Sequence, residues 1–136
     1  MSETSARSAQ STIEAFLRSV EQRDLDGLVA CFTPDASYRN VPHEPAIGAA
    51  AIRRMFEPIL RRSERVEWTI LHAAYVVGRG HLERIDRFWI DGTCYAVPCH
   101  CIAEVDESVG LITAFRDYLD LAAWRQTLGD VLTRSI

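Results

Sequence analysis

The sequence predicts an α+β domain, with helices first and a curved, mainly antiparallel sheet after them. Apolar residues recur at helical spacing in most of the first half, and from Val66 onward they alternate with polar ones, the period of a half-buried strand. Helices and strands segregated in this way are typical of α+β folds. The 136 residues, 48% of them hydrophobic, can bury one core, so we expect a frayed tail at residues 1 to 11 and a single domain at 12 to 136.

Two helices are predicted near the start of the chain. The first has an apolar stripe, with Ser11 or Thr12 as its expected cap; the stripe consists of Ile13, Phe16, Leu17 and Val20. The second is short, has Asp24 as its expected cap and is predicted to end near Thr33-Pro34-Asp35. Its apolar side consists of Leu28, Val29 and Phe32.

A short strand and a third helix follow. The strand is predicted at Ala36 to Val41 and runs into the loop Pro42-His43-Glu44-Pro45. The helix is predicted from Gly48 onward, and Pro58 is expected to bend or shorten it. Its apolar face consists of Ile52, Met55, Phe56, Ile59 and Leu60. We interpret its opposite face as solvated surface rather than an anion site; that face carries Arg53, Arg54, Arg61 and Arg62.

Four long strands are predicted in the second half. They are Val66 to Val77, Leu82 to Ile90, Thr93 to Val105 and Leu111 to Asp120. Short turns separate them, so consecutive strands must pair antiparallel. Pro98 fits an edge, a bulge or a bend. A final helix, Leu121 to Leu128, is expected to turn Leu121, Trp124 and Leu128 inward, and helices on the concave face of the sheet would enclose a pocket.

Two aspartates stand where the strand pattern calls for apolar side chains. Side chains two apart share a face, so Arg84 and Asp86 point the same way as Leu82 and Phe88, and Asp117 lies between Phe115 and Leu119. Unpaired buried charges are unfavourable, so we predict that Asp86, Arg84 and Asp117 pair with one another. Such a group is either an acid/base site in a cleft or a buried ion-pair network.

The third long strand is a candidate pocket wall. Tyr95, Val97, Cys99 and Cys101 share one face, while His100 lies on the other. The first face either lines an apolar cavity beside Phe88 and Leu119 or packs as ordinary core. On the early strand, Tyr38 and Asn40 share a face and offer a phenol and an amide.

The cysteines and histidines do not predict a metal site. Cys99-His100-Cys101 directs its histidine away from both thiols, and no second pair stands at zinc-finger spacing. We therefore expect reduced, partly buried core thiols and no metal. The four cysteines are Cys31, Cys94, Cys99 and Cys101.

Composition narrows the classes of function. A formal net charge of −4 argues against nucleic acid as the main partner. All 15 basic residues are arginines, so Schiff-base chemistry on a lysine is excluded. Residues 1 to 10 lack the apolar run of a signal peptide, and no later stretch resembles a membrane span, so we expect a cytoplasmic protein.

Three blocks together resemble the limonene epoxide hydrolase (LEH) family. They are Tyr38-Arg39-Asn40, Glu83-Arg84-Ile85-Asp86 and Phe115-Arg116-Asp117-Tyr118-Leu119-Asp120-Leu121, in matching order and spacing. The resemblance runs from about Thr12 to Trp124. It implies a SnoaL-like, or nuclear-transport-factor-2-like, cone around a deep apolar pocket, in a protein that is usually a homodimer.

The resemblance also implies a mechanism without metal, cofactor or covalent ester. Asp86 would be the general acid that protonates the epoxide oxygen, and Asp117 the general base that deprotonates a water also held by Tyr38 and Asn40. Arg84 would bind both carboxylates. The pocket would be lined by Phe88, Val97, Cys99, Leu119 and Trp124. The expected partners are water and a small apolar epoxide, cyclic or terpene-like, which would become a vicinal diol.

Two alternatives use the same fold. A ketosteroid isomerase-like or polyketide cyclase-like enzyme would use one carboxylate base and an oxyanion donor, and would predict a tyrosine on the first helix where the apolar face stands. A non-catalytic small-molecule binder is the other, although it gives no reason to bury three charges in one pocket.

Overall fold

A curved six-stranded mixed sheet with helices against one face forms residues 7 to 133, the part of the chain that the computed structural model describes. The strands lie in the order β2-β1-β6-β5-β4-β3. All neighbours pair antiparallel except β1 and β6, which are parallel. The bounds are β1 Phe32–Val41, β2 Ala46–Ile47, β3 Arg65–Val76, β4 Arg79–Ile90, β5 Thr93–Asp106 and β6 Leu111–Leu119. The predicted α+β class is confirmed.

The three N-terminal helices are α1 Ala9–Glu21, α2 Leu25–Val29 and α3 Ala49–Arg62. Helix α1 packs across β3 to β6, and α3 packs on β1 and β2. The predicted core stripes are confirmed at Ile13, Phe16 and Val20 of α1 and at Ile52, Phe56 and Leu60 of α3, all buried. Their apolar faces and the inward face of the sheet form one core.

Helix α1 begins earlier than its stripe predicted. Ser8 is the cap, and its side chain accepts from the backbone N–H of Ser11. The predicted caps Ser11 and Thr12 are wrong because both lie inside the helix, where Thr12 is buried. Residues 9 to 11, placed in the predicted tail, are therefore helical, and residues 1 to 6 of that tail lie outside the described residues.

The chain between α2 and α3 also differs from the prediction. Asp24 caps α2 as expected, but the helix ends at Val29 and β1 starts at Phe32. Phe32 pairs with Ile112 of β6, and the register shifts between Phe32 and Ser37, the stretch of β1 that contains Pro34. Strand β2 was not predicted, since two residues carry too little pattern. Helix α3 continues past Pro58 to Arg62, so Pro58 does not shorten it.

The four long strands and their antiparallel order are confirmed. At the β4–β5 turn, Asp91 and Gly92 both have positive φ, 52° and 80°, as a two-residue hairpin turn requires. Pairing between β5 and β6 stops at Cys99 and Leu119. Pro98, one residue beyond, therefore lies on a stretch of β5 that pairs only with β4, which agrees with the predicted edge position.

The C-terminal helical segment, residues 121 to 133, is longer and less regular than one predicted helix. It consists of α4 Leu121–Trp124, a π-helical turn at Arg125–Gly129 and α5 Asp130–Thr133. Leu128 is fully buried, whereas Trp124 is half-buried against the core. Arg62 of α3 donates to the Val131 carbonyl at 3.2 Å and holds the segment to α3. None of the helices among residues 7 to 133 is long and apolar enough to cross a membrane.

The four thiols are all free. Cys99 and Cys101 are buried and Cys31 is half-buried, as predicted. Cys94 is exposed, so its predicted place in the core is wrong. It lies on the outward face of β5, and only Thr93 stands between it and the hairpin turn.

Candidate active site

Arg84 is buried between two carboxylates. Its Nε donates to Asp86 Oδ1 at 2.7 Å and its Nη2 to Asp86 Oδ2 at 3.1 Å, a bidentate pair within strand β4. Its Nη1 lies 3.0 Å from Asp117 Oδ1 on β6. The three side chains predicted to pair are therefore brought together. The second contact is an ion pair without hydrogen-bond geometry, since neither atom has a hydrogen-bond partner among the described residues.

Register explains how charges from separate strands meet. Arg84 pairs with Cys99 and Asp86 with Val97 of β5, the strand that lies between β4 and β6. Asp117 pairs with Cys101 on the other side of β5. All of these side chains lie on the inward face, because inward positions alternate along each strand.

Aromatic rings complete the surroundings of the guanidinium. The Arg84 Cζ lies 4.1 Å from the ring centroid of Trp68 and 5.7 Å from that of Phe115. Such contacts favour a buried cation. They also limit the positions that the guanidinium can adopt, so Arg84 fixes the geometry of both carboxylates.

Tyr38 supplies the remaining short contact. Its Oη donates to Asp117 Oδ2 at 2.5 Å. The ring stacks on Phe115, with centroids 4.7 Å apart and planes within 6°. Asn40, two residues along β1, pairs in register with Asp117 and lines the same cavity. Tyr38 and Asn40 thus share the face that the sequence predicted and border the Asp117 carboxylate.

Burial keeps the Asp86 carboxyl partly protonated near neutral pH. Burial raises the pKa of Asp86 from 3.8 to about 6, although the charge and hydrogen bonds of Arg84 oppose the rise. Burial, and then the charge of Asp117, raise the pKa of Tyr38 well above its ordinary value, so the phenol stays a donor. Burial opposes the charge on Arg84, yet the two carboxylates hold its pKa well above the ordinary value.

These groups open onto one apolar cavity of about 330 Å³. All five predicted pocket residues line it, namely Phe88, Val97, Cys99, Leu119 and Trp124. Tyr38, Asn40, Asp86 and Asp117 also line it, whereas Arg84 lies behind the two carboxylates. The Cys-rich face of β5 is therefore divided, because Val97 and Cys99 face the cavity while Cys101 is fully buried in the core.

Other cavity residues were not assigned to a pocket from the sequence. Met55, Phe56 and Ile59 were predicted only as core residues of α3, and Pro58 only as a possible bend. Leu132 lies beyond the predicted end of the last helix. Trp68 was not singled out, although its place two residues after Val66 on the inward face of β3 marked it as buried.

The arrangement can move protons at two points in one cavity. A carboxyl that is half-protonated near pH 6 can donate a proton, and a second carboxylate, held by a cation and a phenol, can accept one. No three side chains of metal-ligating type converge among residues 7 to 133.

The chain belongs to the SnoaL-like domain family, whose model matches residues 13–115. The curved mixed sheet and N-terminal helices are those of the nuclear-transport-factor-2-like superfamily. No curated protein matches the chain.

Solved structures with the same fold have different names. An LEH-like epoxide hydrolase from M. tuberculosis is 25% identical, with a TM-score of 0.69 over 92% of this chain and 95% of that one. A protein from Shewanella denitrificans, provisionally assigned as a SnoaL-like polyketide cyclase, is 13% identical, with a TM-score of 0.78 over 89% and 96%. A hypothetical protein from Catenulispora acidiphila with a ketosteroid isomerase-like fold, in complex with trimethylamine, is 21% identical, with a TM-score of 0.71 over 87% and 92%.

Proposed function

We propose that this protein is an epoxide hydrolase that adds water to a small apolar epoxide, cyclic or terpene-like, and releases a vicinal diol. The observation that carries the proposal is the pair of buried carboxylates, Asp86 and Asp117, held by one guanidinium at the edge of an apolar cavity. Opening a strained three-membered ring requires a proton for the departing oxygen and a base for the attacking water. The site offers one group suited to each task.

Asp86 is the general acid in this mechanism. Its carboxyl transfers a proton to the epoxide oxygen as the C–O bond breaks. Its pKa of about 6, raised by burial, keeps a useful fraction protonated near neutral pH. A well-placed acid of this kind contributes roughly 10²- to 10⁴-fold to the rate.

Asp117 is the general base. A water bonds to the ring carbon on the face opposite the breaking bond and gives its proton to Asp117. Because Asp117 Oδ1 is shielded beside Arg84, the carboxylate meets this water through Oδ2, which also accepts from Tyr38. Asn40 adds a second polar group beside the water. Return of a proton from Asp117 to Asp86 restores the starting state, so the balance is epoxide plus water to diol.

Arg84 holds both carboxylates in place through the whole step. It also keeps a positive charge between them when the negative charge passes from Asp117 to Asp86. The site therefore needs little rearrangement as the proton moves. Covalent attack by a carboxylate is not required.

The cavity fits the proposed substrate class. Its walls consist mostly of apolar side chains from α3, β4, β5 and the C-terminal helical segment, and its polar groups collect around the aspartates. An apolar body with one reacting oxygen suits such a surface. The similarity to the M. tuberculosis LEH-like epoxide hydrolase also supports this reaction.

We also propose a homodimer, as the LEH resemblance implies, and a cytoplasmic location, as expected from the lack of a signal-peptide pattern in residues 1 to 10. Exposed apolar side chains on β3 and β6 support an association surface, including Val76 at 53% exposure and Tyr118 at 44%. Size-exclusion chromatography with light scattering tests it. A monomer across the micromolar range would contradict it.

Isomerase, cyclase and binding functions are the alternatives on this fold. Helix α1 contains no tyrosine, and none of its residues lines the cavity, so it does not offer the tyrosine donor that the isomerase alternative predicts. A binder would keep its affinity for a ligand while showing no turnover. These differences define the test.

The test incubates the purified protein with a panel of cyclic and aliphatic epoxides and measures diol by chromatography. The variants are Asp86→Asn and Asp117→Asn, with Asp35→Asn, an exposed aspartate of β1 outside the cavity, as matched control. We expect the first two to lose roughly 10²- to 10⁴-fold in kcat/KM and to keep affinity for the diol, while Asp35→Asn turns over normally. Diol from no epoxide in the panel, or full activity in either site variant, contradicts the proposal.

A further inference from the structure

Cys99 contacts the proposed general acid. Its Sγ lies 3.7 Å from Asp86 Oδ2, within the range of a hydrogen bond to sulfur. The thiol is buried and belongs to the cavity wall. Cys99 pairs in register with Arg84, which places its side chain diagonally across from Asp86. None of the three sequence blocks includes Cys99.

The thiol is in the form that donates. Burial raises the pKa of Cys99 far above its ordinary range; the charge of Arg84 opposes this rise and the charge of Asp86 adds to it. The group therefore remains S–H, which can donate to a carboxylate. A protonated thiol is also a poor nucleophile, so the same feature protects Cys99 from alkylation by an epoxide in the cavity.

The two oxygens of Asp86 have different partners. Among the described residues, Oδ1 accepts one hydrogen bond, from Arg84 Nε. Oδ2 accepts two, from Arg84 Nη2 and from the Cys99 thiol. Arg84 lies on the same strand as Asp86, and Cys99 lies on the neighbouring strand. The carboxyl is therefore held from two strands.

We propose that Cys99 is a positioning residue that donates its S–H to Asp86 Oδ2 and sets how readily Asp86 gives up its proton. The role in epoxide opening rests on the proposed function. The contact itself does not, because it can be measured in the free protein.

A donor to the ionised carboxylate favours the ionised form. Loss of the thiol therefore raises the pKa of Asp86, by about half a unit for one weak hydrogen bond. Valine removes the donor while filling the volume, and serine restores a donor. Cys99→Val should show the rise and Cys99→Ser should reverse most of it, as measured by carboxyl ¹³C NMR titration. An unchanged Asp86 titration in Cys99→Val overturns the proposal.

The S–H stretching band gives a readout that a packing role would not move. In the wild type, we expect the Cys99 band to move to higher frequency as acid protonates Asp86 and weakens the acceptor, with a midpoint near the Asp86 pKa of about 6. In Asp86→Asn the band should not respond to pH. The band is assigned by its loss in Cys99→Val, with Cys31→Ala as control, since the Cys31 thiol donates to the Gly27 carbonyl outside the cavity.

The outcomes separate the two proposals. If the frequency of the Cys99 S–H band does not change with pH in the wild type, the positioning role is overturned, whether or not the protein has activity. A band that tracks Asp86 in a protein that opens no epoxide supports the contact and contradicts the proposed function. With turnover, Cys99→Val should move the alkaline limb of kcat/KM upward by the same half unit as the NMR titration, and an unmoved limb contradicts the link to catalysis.

Discussion

Tyr38 Oη lies 2.5 Å from Asp117 Oδ2, although the two residues are 79 positions apart in the sequence. Their strands, β1 and β6, form the one parallel pair in the sheet. The phenol points at the carboxylate because stacking on Phe115 and an edge contact with Phe56, at 5.0 Å between centroids, fix the ring. The aromatic core thus orients a polar group of the site.

Tyr38→Phe tests this contact, because the ring is kept and only the hydroxyl is lost. Asp117 Oδ2 then loses a buried donor, a change worth about 1–3 kcal/mol. Because the lost hydrogen bond would have stabilised the transition state, kcat/KM should fall roughly 10- to 100-fold. Steady-state kinetics on an accepted epoxide measures the change.

Tyr118→Phe is the matched control for that substitution, since Tyr118 is exposed at 44% on the same sheet and does not line the cavity. It should keep wild-type kcat/KM. Equal activity of Tyr38→Phe and Tyr118→Phe would remove Tyr38 from the mechanism.

The activity should fall as the pH rises through about 6. Asp86 must be protonated to act as acid, and burial raises its pKa to about 6. Above that value the protonated fraction, and with it kcat/KM, falls about tenfold per pH unit. A pH profile of kcat/KM measures this limb. Activity that rises steadily from about pH 5 to pH 8 would reverse the assigned roles of acid and base.

Stability should depend on pH through the same residue. The folded protein binds the Asp86 proton more tightly than the unfolded chain does, because burial raises the pKa from 3.8 to about 6. This contribution is fully present below the unfolded pKa and is lost as the pH rises through about 6, a loss of about 3 kcal/mol. Asparagine does not titrate, so Asp86→Asn should gain that amount relative to wild type between about pH 4 and pH 7.

Urea unfolding at several pH values measures the difference between Asp86→Asn and the wild type. The comparison cancels the contributions that the two proteins share. Two stability curves that stay parallel over this range would show that Asp86 does not carry the raised pKa.

A residue far from the cavity should change stability without changing chemistry. Glu107 Oε2 accepts from the backbone N–H of Ala9 at 2.9 Å and of Gly78 at 2.8 Å, which ties the start of α1 to two turns of the sheet. Glu107→Ala should lower the free energy of unfolding by about 2 kcal/mol. Exposed Glu57 is the control, and Glu57→Ala should be close to neutral. Catalytic constants of the folded protein should be unchanged in both, and a loss of kcat in Glu107→Ala would contradict this separation.

The strand pattern was sufficient to predict the burial of the charged residues. The alternation is regular in β4 and in β6 from Phe115 onward, so Asp86 and Asp117 could be assigned to the inward face from sequence alone. The antiparallel order of the last four strands followed from short turns. Local rules were therefore enough for the strand faces and for the order of these strands, although they misplaced the cap of α1.

Features set by distant contacts could not be predicted in this way. The early start of β1 depends on pairing with Ile112, and the stacking of Trp68 on Arg84 joins two different strands. The C-terminal helical segment breaks into three short pieces, and the pattern of Leu121, Trp124 and Leu128 gave no sign of the π-helical turn. The contact of Cys99 with Asp86 depends on register across β4 and β5, which no single strand reveals.

Single turnover in ¹⁸O-labelled water tests the central claim, that water attacks the epoxide directly with Asp117 as its base. The protein is kept in excess over the epoxide, and the diol and the intact protein are both examined by mass spectrometry. The account predicts one ¹⁸O in the diol from the first turnover and no ¹⁸O in the protein. An unlabelled diol from the first turnover, with label later found in Asp117 or Asp86, would show a covalent ester and contradict the account.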